Sequence, residues 1–255
     1  MALKPVHALL AGLMLVIAGW ASAQGAPAGQ PKIYIADLDG VIGPASAHIV
    51  QSAIARTERD GGEALILRMN TPGGLSTSMR EIIQAILAAR VPVIGYVSPS
   101  GGHAASAGTF ILYATHVAAM APGTNIGAAS PVSIGGSPLA PQGEAPDQSV
   151  ESAKAMNDAV ALIRGLAALR GRNADWAEAA VRNAAALTAD EALARHVIEI
   201  EADDLPALLD QLDGRAVEVA GAAQTLHTAG ARLETLHPSF VTSVLALLAN
   251  PNVAL

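Results

Sequence analysis

The 255-residue chain contains no cysteine. That excludes disulfides, a thiol nucleophile and any zinc site built on thiolates, so covalent chemistry here has to use oxygen or nitrogen. Aromatic residues make up only 3% of the chain and the formal net charge is −7. A sparse-aromatic, acidic chain offers no footprint for nucleic acid. Histidines and carboxylates form no ligand-spaced cluster, so neither a metal nor another cofactor is expected. Lysine is the scarcest charged residue, present only as Lys4, Lys32 and Lys154.

The N-terminus, MALKPVHALLAGLMLVIAGWASAQGAPAG, has one cation, an apolar run from Ala8 to Trp20, and Ala21-Ser22-Ala23 before Gln24. This is the layout of a secretory signal, with an apolar run short for a membrane span. Residues 1–23 are expected to be an export signal cleaved after Ala23, residues 24–30 a leader, and residues 31–236 a folded domain outside the cytoplasm. An uncleaved anchor is the alternative. Residues 237–255 are apolar but broken at Asn250-Pro251; they are expected to begin a transmembrane region, the alternative being a helix packed on the domain.

From Lys32 onward, strand and helix signals alternate. KIYIADLDGVI, EALILRMN and VPVIGYVS read as strands. SAHIVQSAIARTERDG, STSMREIIQAILAAR and ASAGTFILYATH read as helices, and VAAMAPGTNIGAA as a strand and turn. Alternation with short connections implies an α/β sheet covered by helices. Residues Ser130 to Ser152 are rich in Gly, Pro and Ser without period, a surface segment of functional length. A helix is expected from about Val150 to Arg170, then two more capped by Asn173 and Thr188. GRAVEVAGAAQTLHTAGARLETL reads as short hairpin strands around Gly221 and Gly230.

SGGHAASAGTFILYATH surrounds a single hydroxyl, Ser106, with small residues. The serine either lets a helix pack closely or acts as a nucleophile. A nucleophilic serine needs an adjacent base, and it lies here at a helix start, where N–H groups favour developing negative charge. The text is not the G-x-S-x-G of a hydrolase elbow. In NTPGGLSTSMR, Gly73 and Gly74 join a strand to a helix. They form either a plain turn or a place where N–H groups point outward as an oxyanion hole.

Of the candidate bases, His103 lies on the glycine-rich loop side three residues before Ser106, whereas His48, His116 and His196 read as structural. Lys154 is the one lysine of the body beyond Lys32, in a helix whose other cations are arginines. An arginine cannot give up its proton, whereas a desolvated lysine can. The competing reading is a solvated lysine paired with Asp158 four residues on.

The blocks NTPGGLSTSMREI, PVIGYVSPSGGHAASAGTFI, AAMAPGTNIGAASPV, KAMNDAVALIRGLAALRGRNADWAEAAV and LTADEALARHVIE occur in this order. Together they resemble the N-terminal domain of the NfeD family of membrane-bound, ClpP-class serine proteases, across residues 31 to 202. The resemblance implies a ClpP/crotonase-like spiral of ββα units and a Ser-Lys dyad in residues 31–236. The family nucleophile falls on Ser106, and the family's K-x-x-N base motif on Lys154 and Asn157. The oxyanion positions fall on Gly74 and the N–H of Ala107, with Gly73 beside them. Homo-oligomerisation, membrane tethering and cleavage of apolar segments in stomatin-like membrane proteins are also implied. Asn70 departs from the Asp often found before TPGG, and His103 stands where Ala or Arg is usual. Two alternatives share the fold: a catalytically silent scaffold that binds a membrane partner, and a crotonase-type acyl-CoA enzyme.

Overall fold

A computed structural model describes residues 30–131 and 148–237. The expected signal segment, all but the last residue of the leader, most of the Ser130 to Ser152 segment and the apolar stretch from residue 238 lie outside them.

The strands Lys32–Asp39 (β1), Ala64–Asn70 (β2), Val93–Val97 (β3), Val117–Met120 (β5), Ile200–Glu201 (β8) and Arg232–Thr235 (β11) form one sheet in the order β11-β1-β2-β3-β5-β8. Every pairing in it is parallel. Parallel strands are covered on both faces and so read as continuous apolar runs, as ALIL and VIGYV do. Along β1, Tyr34, Ala36 and Leu38 enter one core, while Ile33 and Ile35 enter the other.

The larger core is closed by helices Pro44–Arg59 (α1), Ser76–Ala88 (α2), Ala107–Ala114 (α3), Gln148–Arg170 (α4) and Ala174–Arg182 (α5). Ala189–Ala194 (α6) adds Ala189 and Ala192 to this core. The smaller core lies under Leu205–Leu212 (α7) and the antiparallel hairpin Ala216–Val219 (β9) and Ala222–Thr225 (β10). The N-caps of α5 and α6 are as the sequence suggests. Asn173 accepts from Trp176 N–H at 2.9 Å, and Thr188 and Glu191 make a capping box.

A second sheet, His103–Ala105 (β4), Asn125–Gly127 (β6) and Ala186–Thr188 (β7), stands beside the C-terminal ends of the first. It is tied to β2 by a bridge between Thr71 and Ala104. Two expectations are corrected. His103 is not on a loop but starts β4, paired with Asn125. Residues 232–235 do not complete a hairpin after Gly230; they return to pair in parallel with β1, because alternation in a half-exposed strand does not reveal its partner.

Candidate functional site

β4 runs directly into Ser106, and α3 begins at the next residue. Ser106 has φ 53° and ψ −116°, an outlier for a residue with a Cβ that costs of order 1–3 kcal/mol unless its surroundings impose it. They do so here. Ser106 N–H donates to Gly127 O at 3.0 Å, and Thr109 N–H donates to Ser106 O at 3.0 Å. The buried Thr109 hydroxyl lies 2.9 Å from both Ala104 O and Gly127 O. The chain lacks the G-x-S-x-G text, yet its serine occupies a strained strand-to-helix turn of the same mechanical kind. Ser106 is half-buried.

Gly73 and Gly74 stand against this turn. A Cβ on Gly73, at φ +108°, would lie 2.6 Å from Ser106 Cβ and 3.0 Å from its Oγ; one on Gly74 would lie 2.1 Å from Ile42 O. Both positions therefore need glycine for close approach. Gly73 N–H donates to Thr71 Oγ1 at 3.1 Å, so it is occupied. The N–H groups of Gly74 and Ala107 meet no acceptor among the described residues. Ala107 opens α3, where the first N–H groups of a helix lack internal partners. Two donors at the nucleophile's side are what an oxyanion requires.

Ser106, Gly74 and Ala107 edge a cleft of about 470 Å³. α2 contributes Met79 and Arg80, α3 contributes Phe110, and α4 lies across with Met156, Ala159 and Leu162. Exposed Leu75 stands at its mouth. A larger cleft of about 620 Å³ opens among Asp37, Asp39, Arg68, Asn70 and Asp203. None of the expected site residues lines it, and Arg68 is already bidentate with Asp37 at 2.6 and 2.9 Å.

Lys154 is on α4, above the same cleft wall, but its side chain is exposed and is not among the residues lining the cleft. Ser152, Ala155 and Met156 from that helix do line it. Asn157 is exposed as well. The competing reading, a Lys154–Asp158 pair, is not what the fold makes of Asp158, whose carboxylate is bonded to Arg80 of α2. Arg80, its pairing with Asp158 and the residues of the apolar lining were not read from the sequence. Met79 and Phe110 each sit on the first turns after a candidate loop, and that placement was the available signal.

The histidines stand apart from the cleft. His103 contributes its backbone, donating to Asn70 Oδ1 at 3.2 Å, while His48 and His196 are exposed. His116 accepts from Val93 N–H at 3.1 Å; burial pushes its pKa down to about 4, with the Arg170 charge adding to the effect. Among the described residues, no group of three or more His, Asp or Glu side chains could hold a metal ion.

The family model of the NfeD1b N-terminal domain matches residues 32–222. Membrane-bound protease PH1510 of Pyrococcus horikoshii is 38% identical over 224 residues, covering 87% of this chain and 49% of that protein. Membrane protein NfeD1b of Bacillus subtilis is 31% identical over 128 residues, 50% of this chain and 27% of its own. The chain thus spans about half the length of the first and about a quarter of the second. Among solved structures, a serine-to-alanine variant of the 1510-N membrane-bound stomatin-specific protease superposes with a TM-score of 0.74 at 37% identity, over 82% of this chain and 99% of that one. A lysine-to-alanine variant of the same protease, in complex with a substrate peptide, gives 0.76 at 36%, over 86% and 97%. The parallel sheet and the smaller sheet beside it thus form the ClpP-like fold of the 1510-N protease, and the chain belongs to the NfeD1b N-terminal domain family.

Proposed function

We propose that this domain is a serine endopeptidase working outside the cytoplasm, with Ser106 as nucleophile and Lys154 as its base, acting on apolar segments of stomatin-like membrane proteins. The observation that carries the reading is the elbow itself: a strained Ser106 at an apolar cleft, flanked by the open N–H groups of Gly74 and Ala107. In this mechanism Ser106 Oγ attacks the peptide carbonyl and its proton passes to the neutral Lys154 amine. The N–H groups of Gly74 and Ala107 hold the oxyanion. Lys154 then gives the proton to the leaving amine, and water hydrolyses the acyl-enzyme. The exposed position of Lys154 means that the dyad assembles when substrate, or a second copy in a homo-oligomer, closes the cleft. Catalytic hydrogen bonds often tighten only in the complex.

Apolar preference follows from Leu75, Met79, Phe110 and Leu162 along the cleft. The relatives supply the substrate class: 1510-N is described as stomatin-specific and PH1510 as membrane-bound. Among the described residues no helix is long and apolar enough to cross a membrane, so tethering here is assigned to residues outside them.

The exposed Lys154 also favours a second reading, a silent scaffold that binds a membrane partner. One experiment separates the two. The chain and its Ser106→Ala and Lys154→Ala variants are incubated with an apolar peptide library and the products identified by mass spectrometry. Cleavage by the parent that disappears in both variants is the expected result. Cleavage that survives Lys154→Ala removes the lysine from the base role, and a folded parent that cleaves nothing supports the scaffold.

A further inference from the structure

α4 is held very differently at its two ends. Its second half is built into the protein: Val160, Ile163, Leu166 and Ala167 are buried at helical spacing. Just past its end, Arg172, only 1% exposed, donates to Leu112 O and Tyr113 O at 3.0 and 2.9 Å and to both oxygens of Glu199 at 2.8 Å. Arg170 donates to Ala114 O at 3.0 Å. These carbonyls belong to the last turn of α3, whose other end carries Ser106; Leu112 O also accepts from Thr115 N–H at 3.2 Å and from its hydroxyl at 2.7 Å. The far ends of the serine helix and the lysine helix are thus bolted together.

Among the described residues, the first half has no such anchorage. Residues 150–155 are all exposed, and Met156 and Ala159 are only half-buried. Among the described residues, the polar link from this half to the rest of the domain is Arg80–Asp158, which joins α4 to α2 at the Ser106 cleft; both residues line that cleft. Asp158 lies one turn beyond Lys154, at the spacing that would otherwise offer its carboxylate to that lysine.

We infer that the Arg80–Asp158 pair is a positioning clamp: it holds the lysine-bearing half of α4 at the catalytic cleft and keeps the Asp158 carboxylate engaged with Arg80 rather than with Lys154. The inference rests on the assignment of Lys154 as base. With side chains 41% and 67% exposed, the pair adds little to global stability. Its leverage is local, because a helix half lacking buried anchors responds to a small energy that a packed helix would ignore. Neither residue is assigned contact with the reacting atoms; they act through Lys154, and misplacing a catalytic group by about 1 Å can cost about a hundredfold in rate.

The absence of native cysteine makes the test direct. In the full chain, spin labels on Thr77→Cys in α2 and Glu151→Cys in the first turn of α4, both exposed, report the distance across the cleft. The distance distribution is expected to be narrow in the parent and broad in Arg80→Gln and in Asp158→Asn. It should narrow again in the charge-swapped Arg80→Asp/Asp158→Arg protein. In parallel, kcat on a cleaved apolar peptide should fall about three- to tenfold in each single variant, with KM and melting temperature nearly unchanged, and should recover in the swap.

An unchanged distribution in Arg80→Gln overturns the clamp. So does a broadened distribution with undiminished kcat, provided that Lys154→Ala abolishes cleavage. If Lys154→Ala retains the parent rate, it is the base assignment that fails, and the clamp's catalytic role falls with it.

Discussion

Gly73 illustrates how little room Ser106 leaves its neighbours. A methyl there would lie 2.6 Å from Ser106 Cβ and 3.2 Å from Ala107 N, intruding where a substrate carbonyl has to sit between hydroxyl and donor. Gly73→Ala should therefore lower peptide cleavage at least about a hundredfold, the scale of losing an oxyanion donor. The positive φ adds a backbone cost of about 1–3 kcal/mol, so the melting temperature should fall by several degrees with folding retained. Paired cleavage assays and calorimetry check this; a variant within twofold of the parent's rate would remove Gly73 from the wall of the oxyanion site. At this scale the sequence was informative about which residues matter, since glycines and small side chains crowded one hydroxyl. It was silent on conformation: nothing in AASAGT announces a positive φ at a serine, because that angle depends on Gly127, outside the motif, whose carbonyl accepts from both Ser106 N–H and the Thr109 hydroxyl.

Among the elements, the joint between α3 and α4 concentrates the electrostatic stake. Arg172 is buried, and Glu199 accepts from it twice while also taking Ala118 N–H at 2.6 Å. Removing one partner of a buried pair strands the other, at a cost of about 3–5 kcal/mol. Glu199→Ala should accordingly lower the unfolding free energy by that order, read by denaturant titration, and Glu199→Gln should recover part of it through its remaining acceptor. A loss under 1 kcal/mol would mean that the three backbone carbonyls alone satisfy the two arginines. Helices α1 to α6 and strands β1, β2, β3 and β5 were legible from apolar periods and caps intrinsic to each segment, whereas the two-residue β8 and the short α7 were not read. β4 was not, since HAA between glycines has no period; its strand character comes from pairing with β6. β11 had a period but concealed its partner. Arg80 and Asp158, 78 residues apart, could be joined only by the fold, and so could the distance of Lys154 from the cleft lining.

Over the whole molecule, acid stability has two separable windows. Carboxylates held below their usual range include Glu58, where the Arg90 hydrogen bonds outweigh burial, and Asp213, which accepts Ala229 and Thr228 N–H. Such groups contribute stability above their unfolded pKa and lose it as pH falls through the depressed folded value. His116 acts at higher pH. Its ring bridges the strand after α3 to Val93 N–H as an acceptor, and its folded pKa lies at about 4, chiefly from burial, against 6.5 when unfolded. Between these values the unfolded chain binds a proton that the native protein refuses, so stability falls as pH drops from about 6.5 to about 4 and this contribution is flat below. The full span amounts to roughly 3 kcal/mol at most. Denaturant unfolding at pH 7, 5.5 and 4.5 should show this decline in the parent and a much shallower one in His116→Asn, which cannot titrate. Equal slopes in the two proteins would assign the acid sensitivity to the carboxylates instead. The sensitivity would reach the proposed active site by a short route, because Arg170, whose charge helps to keep His116 neutral, also fastens the lysine-bearing helix to the serine-bearing one.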